Sequence, residues 1–279
     1  MSALVDTDRR LDFGTMLRDW RQHRGLSQLA LSLASGISQR HISCLETGRA
    51  RPSRAMVIAL ADALSVPLRE RNALLGRSGF ASAYGAAPLD AEALRMFRDA
   101  VDLAIAHHEP YPAVLLDGHG NLLRLNDGAQ RLFSRFIDPM AALAAIGSPT
   151  SYQVVRLCLH ERGLRPFIGN WETLVYSMLQ RARQELLANP GHEALQALID
   201  EIQSHPEAPR RWRAPDWTTP PAPAIQLVLQ QDDQRWSLFT MLAHFGAPQH
   251  VTLEELSLEL FYPADEATRE RLLADAPCG

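Results

Sequence analysis

Phe13, Met16, Leu17 and Trp20 recur at i, i+3, i+4 and i+7, the spacing of one apolar helical face. Gly25 closes that pattern. Ser27 then stands where an N-cap is needed for a second helix, Gln28–Ser35. Gly36 follows, and Ser38 is placed to cap a third helix through about Leu45, with Ile42 and Leu45 pointing inward. Gly48 ends it. Pro52-Ser53 opens a fourth helix, whose Val57, Leu60, Ala61 and Leu64 form a buried stripe, and Pro67 opens a fifth to about Leu75. The pattern predicts five short helices, with a glycine turn between the second and third.

The periodicity lapses over Arg77–Glu92, which is rich in Gly, Ala and Ser, and this predicts a linker over 81–92. A new helical pattern starts near Pro88, with Leu94, Phe97, Val101 and Ile105. Ala113–Leu116 reads as a strand, Asp117–Gly120 as a turn and Asn121–Leu125 as the returning strand, a β-hairpin. Asn126 caps a helix with Leu132, Phe133 and Phe136 inward. Further helices are expected over Tyr152–Leu159, from an Asn170 N-cap through Trp171 to Leu187, and over His192–Ile202. Gln203–Ala224 holds six prolines and is expected to be irregular. Alternation returns at Ile225, Leu227 and Leu229, in Arg235–Phe245 beyond a turn, and at Leu256, Leu258 and Leu260. Two strands early and three late, with helices between, predict a five-stranded antiparallel sheet. The fold class is therefore α+β: an all-α five-helix domain over 1–80, the linker, and a mixed domain over 93–279 with a helical insert.

Composition changes this picture little. At roughly 100–200 residues per domain, 279 residues make two. Apolar residues are 46% and charged residues 22%, as in globular proteins. The longest apolar runs, such as Ala141–Ile146, fall far short of the roughly 20 residues of a membrane span. Met1–Asp12 lacks a signal-like apolar stretch, so a cytoplasmic, nucleoid-associated protein is expected. Cys44, Cys158 and Cys278 suggest neither a disulfide framework nor a zinc knuckle.

Charge changes it more. The net charge is −4, and every basic residue is arginine. Residues 1–85 carry 12 Arg against seven acids, and the remainder 16 Arg against 25 acids. Between Arg21 and Arg54 six arginines face one acid, Glu46. A basic, phosphate-facing domain joined to an acidic one of different purpose fits this asymmetry.

The stretch Arg24–Ser53 carries G-L-S-Q, a glycine followed by a small polar pair, I-S-x-L-E-x-G and R-x-x-P-S, in order and at the right spacing. It resembles the Cro-repressor-type (XRE) helix-turn-helix family. Ser65 departs from it, standing where a glycine is common after the fourth helix. The resemblance implies binding to double-stranded DNA, with the third helix in the major groove, led by its N-terminal residues. Ser38, Gln39, Arg40 and Ser43 are then the candidate base-facing residues. Gln39 suits adenine and Arg40 guanine. Gln28, at the second helix's N-terminus, would hold a phosphate. Thr47, Arg49 and Arg51 would grip the backbone, with Arg21 and Arg24 as weaker candidates. Otherwise Gln39 and Arg40 are plain exposed helix residues. Glu46 reads as structural, answering a nearby arginine, and His41 as a surface residue. A homodimer on a two-fold site follows from how this motif class reads half-sites.

In the second half, LRLNDGAQRLF, LCLHERGLRPFIGNW and FTMLAHFGAPQHVTLEELSLELFYPADE resemble the PAS-type ligand-binding domain of MmyB-like regulators. That implies a pocket for a small lipophilic, fatty-acid-like ligand. Tyr111, Phe133, Arg165, Trp171, Met178, Phe239 and Phe245 are the candidate lining. Arg165 could pair with a carboxylate and Trp171 wall an apolar pocket. Alternatively Arg165 and His160 stitch the loop to the sheet, Trp171 belongs to the core, and the domain is a protein-interaction or dimerisation module with no small ligand. No P-loop, G-x-G-x-x-G, G-x-S-x-G or H-E-x-x-H occurs, so no enzyme, metal site or cofactor is expected.

Overall fold

The computed structural model describes residues 12–146, 153–189, 192–213 and 226–275. The expectations for Met1–Leu11, for Tyr152, for the proline-rich 214–224, for Ile225 and for Cys278 lie outside them. The chain divides into two compact units. Of the described residues, the first holds 12–86, 187–189 and 247–254, and the second holds the rest.

The first unit is built on five helices, α1 Phe13–His23, α2 Gln28–Ser35, α3 Gln39–Glu46, α4 Arg54–Ala63 and α5 Leu68–Arg77. Side-chain caps set where the first four begin. Asp12 accepts from the Thr15 N–H at 2.7 Å, Ser27 from Ala30 at 3.0 Å, and Ser38 and Ser53 from His41 and Met56 at 3.3 Å. Gly36 ends α2 at φ 72°, a left-handed conformation that fixes the tight turn into α3. Ser65 takes the same region at φ 47° where the resembled family favours glycine. The inward stripes meet in one core of Leu17, Trp20, Leu31, Ile42, Leu45, Leu60, Leu74 and Leu75, all 4% exposed or less. Gly14 of α1 lies against the end of α3, where a Cβ would come 2.4 Å from the Leu45 carbonyl oxygen.

The second unit is a five-stranded antiparallel sheet with helices. Its strands are β1 Ala113–Leu116, β2 Leu122–Leu125, β3 Gln226–Gln231, β4 Gln234–Ala243 and β5 Ser257–Pro263, in the order β2-β1-β5-β4-β3. The five antiparallel strands are the number expected. Along the chain come α6 Arg95–His107, α7 Asp127–Phe133, α8 Pro139–Ala145, α9 Val154–Leu159, α10 Trp171–Ala188, α11 Glu193–Ser204 and α13 Glu266–Ala274, while the short helix α12 Val251–Glu255 falls almost wholly in the first unit.

Both sheet faces are covered, so β1 is buried at every position. On one face Val114, Leu116, Trp236, Leu238 and Phe261 pack with Trp171, Leu174, Val175, Leu179 and Trp212 in the main core. On the other lies α6, held by an Asp102–Arg124 ion pair at 2.7 Å and by His108 edge-on to Tyr262. Asn126 ties the hairpin together. Its Oδ1 accepts from the Ala113 and Ala129 N–H groups, and its Nδ2 donates to the Tyr111 and Ile105 carbonyls. One side chain thereby caps α7 and anchors both flanking segments.

Two boundaries differ from expectation, and the sequence leaves two side-chain placements open. Helix α6 begins at Arg95, after a short 3-10 turn at Glu92–Leu94, rather than near Pro88. Helix α11 runs to Ser204, and a second 3-10 turn spans Arg210–Arg213, so part of the stretch expected to be irregular is ordered. Asn170 stands just before α10, as expected, and its carbonyl accepts from the Thr173 and Leu174 N–H groups. Its side-chain amide also donates to the Gln226 carbonyl and accepts from the Val228 N–H, stitching α10 to β3. Finally, Leu258 and Leu260 pair with Leu115 and Ala113 on the α6 face, so Ser257, Glu259 and Phe261 point to the main core.

Candidate functional site

Helix α3 is held from one side only. Ile42, Leu45 and Glu46 are buried, while Ser38, Gln39 and Arg40 are exposed at its N-terminal end. Ser43, one turn on, is half-buried.

The anchor at the far end is polar. The Glu46 side chain is 1% exposed. It accepts from Arg21 Nε at 2.6 Å and Nη2 at 2.9 Å, and from Gln28 Nε2 at 2.9 Å. Arg18 Nη2 adds a bond to the Glu46 carbonyl at 3.1 Å. Burial pushes the Glu46 carboxyl upward, but the bonds from Arg21 and Gln28 and the charges of Arg21 and Arg18 outweigh it, so it sits below the ordinary carboxylate range. The bond to Glu46 in turn raises Arg21. This is the structural role expected of Glu46.

Three phosphate candidates are engaged within the unit, Gln28 only in part. Gln28 is half-buried and spends one amide N–H on Glu46. Arg21 is 11% exposed and fully engaged with Glu46 and the Leu26 carbonyl. Arg24 donates to the Leu64 and Ser65 carbonyls and lies over the Trp20 ring. Thr47, Arg49 and Arg51 stay exposed beyond α3. Thr47 Oγ1 donates to the Ser43 carbonyl at 2.7 Å and accepts from Arg49 Nε at 3.1 Å. His41, expected at the surface, is half-buried, and its Nε2 is shut off from solvent with no partner.

In the second unit the seven lining candidates do not converge. Trp171 is buried in the main core and donates from Nε1 to the Cys158 carbonyl at 2.8 Å. Tyr111, Phe133 and Met178 pack against that core. Arg165 stacks 4.0 Å over the Trp171 ring and pairs with Glu207. Phe239 lies on the opposite sheet face, stacked on its cross-strand partner Tyr262 at 5.6 Å. Phe245, beyond β4, meets Phe97 of α6 edge-on. Strand alternation explains the split: Trp236 and Leu238 face the main core, so Phe239, the residue after Leu238, cannot. Two recesses, of about 330 and 370 Å³, are lined by Arg156, His160, Glu201 and His205, and by Asp102, Glu109, Arg124 and Asp127 among others. None of the seven candidates lines either.

Polar residues on the core-facing side of β5 escaped the sequence reading. Glu259 and Arg181 of α10 approach to 3.5 Å there, near the buried thiol of Cys158, which burial and the Glu259 charge push up to about 12. The signal was the alternation of Ser257 and Glu259 with leucines, which by itself does not say which set faces the core.

Residues 12–74 match a helix-turn-helix domain, and residues 97–274 match the MmyB-like transcription regulator ligand binding domain. The chain belongs to the MmyB-like transcription regulators. Both matches are domain types of ligand-regulated, DNA-binding transcription regulators and not those of enzymes. None of the curated proteins matches the chain. A solved structure described as that of an RNA-binding Light-Oxygen-Voltage receptor aligns with 98% of this chain at 11% identity and a TM-score of 0.23, too slight a likeness to carry an argument. The chain spans 65% of that structure's chain. Among the described residues, no helix is long and apolar enough to cross a membrane.

Proposed function

We propose that this regulator reads a specific operator by placing the N-terminal end of α3 in the major groove. The observation that carries the reading is the exposure of Gln39 and Arg40 on a helix whose opposite side is locked into the core. An α-helix fits that groove, where base edges differ in donor and acceptor pattern. Gln39 suits adenine, Arg40 suits guanine, and Ser38 and Ser43 reach neighbouring positions. Thr47, Arg49 and Arg51 take the phosphates, with the second amide proton of Gln28 as an additional donor. The protein acts as a homodimer on a two-fold operator, in the cytoplasm at the nucleoid. Residues 1–80 are the reading head, 81–92 the linker and 93–279 the sensor. The sensor takes a small lipophilic ligand, fatty-acid-like in having an apolar body and one polar end. Such a ligand controls DNA binding only if it binds the DNA-competent and incompetent states unequally.

Arg40→Ala tests the reading of bases. It is expected to relax base choice at one operator position by about 1–3 kcal/mol. Arg49→Ala and Arg51→Ala are expected to weaken all DNA sequences alike and to flatten the salt dependence. Equal losses for Arg40→Ala on operator and random DNA, measured by titration of labelled duplexes, would refute the assignment.

A second reading, a protein-interaction module with no small ligand, is favoured by the burial of Trp171, Trp212 and Trp236 in one core. A native mass spectrum of protein purified from cells separates the two. A retained small molecule supports sensing, and a ligand-free mass in every preparation supports the module.

A further inference from the structure

The middle strand, β5, places Ser257, Glu259 and Phe261 on the face that carries Val114, Leu116, Trp236 and Leu238. Apolar side chains are expected along such a wall. Two of these three positions carry hydrogen-bond acceptors instead, and neither is well served. The Ser257 residue is 8% exposed, and its buried hydroxyl has no hydrogen-bond partner. Glu259, with a side chain 14% exposed, reaches Arg181 at 3.5 Å, longer than the roughly 2.7–2.9 Å of a strong charge-assisted bond. The Arg181 side chain is 52% exposed, so water screens much of its charge. Burial accordingly raises the Glu259 carboxyl above the ordinary range against the pull of Arg181. This end of the wall is also unsealed, because Leu242, the cross-strand neighbour of Glu259 on β4, is 41% exposed.

Under-served acceptors are costly in a closed core. They become favourable when a donor arrives from outside. We propose that Ser257 and Glu259 form the polar end of a ligand site in the sensor domain, and that they receive a protonated amine carried on an apolar body. An ammonium group brings three donors and the charge that Glu259 lacks. A carboxylate placed there would face the charge of Glu259. The proposal rests on the reading of this domain as a receptor for a small lipophilic molecule and specifies only the head group.

Octylamine and octanoate share the same chain length, so comparing them isolates the head group. Calorimetric titration of the full chain at neutral pH is expected to show octylamine binding at least about tenfold more tightly than octanoate. Glu259→Gln, which is nearly isosteric, is expected to weaken octylamine by at least about tenfold and leave octanoate unchanged or tighter. Arg181→Ala is expected to affect the two probes differently, leaving octylamine unchanged or tighter and weakening octanoate, which loss of a merely structural ion pair would not do. Should Glu259→Gln fail to fold, Ser257→Ala carries the test, with a severalfold loss for octylamine alone. Octanoate binding as tightly as octylamine, or octylamine affinity surviving these substitutions, overturns the head-group assignment and leaves the receptor reading standing. Binding of neither probe brings down the receptor reading and the proposal with it.

Discussion

The Arg21 guanidinium meets the Glu46 carboxylate through two hydrogen bonds, Nε to Oε1 at 2.6 Å and Nη2 to Oε2 at 2.9 Å. Arg21 belongs to α1 and Glu46 closes α3, so the pair joins α3 to the first helix of its unit. Removing one partner of a buried pair leaves the other without compensation. Glu46→Ala is therefore expected to destabilise the first unit by about 3 kcal/mol, read as a lower urea midpoint for that unit. The pH dependence has a definite sign. The folded carboxyl lies below its ordinary value, so its contribution is complete above that value and fades as pH falls through the folded one. The acid limb of the stability curve should be shallower in Glu46→Gln than in the parent.

Gly14 tests how closely α1 and α3 must approach. A Cβ there would sit 2.4 Å from the Leu45 carbonyl oxygen and 3.1 Å from that of Glu46, and both are backbone atoms that cannot rotate away. Gly14→Ala is expected to cost about 1–3 kcal/mol and to weaken operator binding by tilting α3. Gly76, in α5, has nothing within 4 Å of its would-be Cβ. Gly76→Ala should instead gain up to about 1 kcal/mol, with DNA affinity unchanged. The same outcome for both substitutions, in thermal melts and DNA titrations, would contradict the close-approach argument.

Asn126 makes two accepting and two donating contacts around the β1–β2 hairpin. Alanine leaves the Ala113 and Ala129 N–H groups and the Tyr111 carbonyl without that partner, while the Ile105 carbonyl keeps the His108 N–H, and a loss of about 3 kcal/mol in the stability of the sensor unit is expected. Aspartate keeps the two acceptor bonds and loses the donations, so it should fall between. Urea denaturation followed by the fluorescence of the sensor tryptophans gives the order.

Cys158 is buried, and its thiol is pushed up to about 12 by burial and by the Glu259 charge. Thiolate is the reactive form. Iodoacetamide at mildly alkaline pH is expected to spare Cys158 in the native protein and to label half-buried Cys44. Labelling of Cys158 should appear only in denaturant, and peptide mass mapping reports both sites.

The first unit was largely readable from sequence because its punctuation is local. Ser27 and Gly36 bracket α2, Ser38 caps α3, and each acts within a few residues of itself. The anchoring role of Glu46 was readable in kind, but which side chains it claims was not. Arg21 and Gln28 look as free as Arg49 until the fold brings them to the same buried carboxylate. In the second unit the strand count and early–late grouping followed from alternation. The facing of β5 did not, since covering both faces of a sheet removes the contrast between inner and outer residues. Phe239 was grouped with Trp171 for the same reason, although the sheet separates them. The bonds from Asn170 to Gln226 and Val228 were not legible, because the sequence does not show that β3 lies beside it.

The shared carboxylate of Glu46 also limits how a ligand signal can be delivered. With α1, α2 and α3 pinned to one point, the reading helix cannot pivot alone without breaking a buried ionic contact. Control of transcription must then move the whole head, changing where or how firmly it meets the operator while its own shape is preserved.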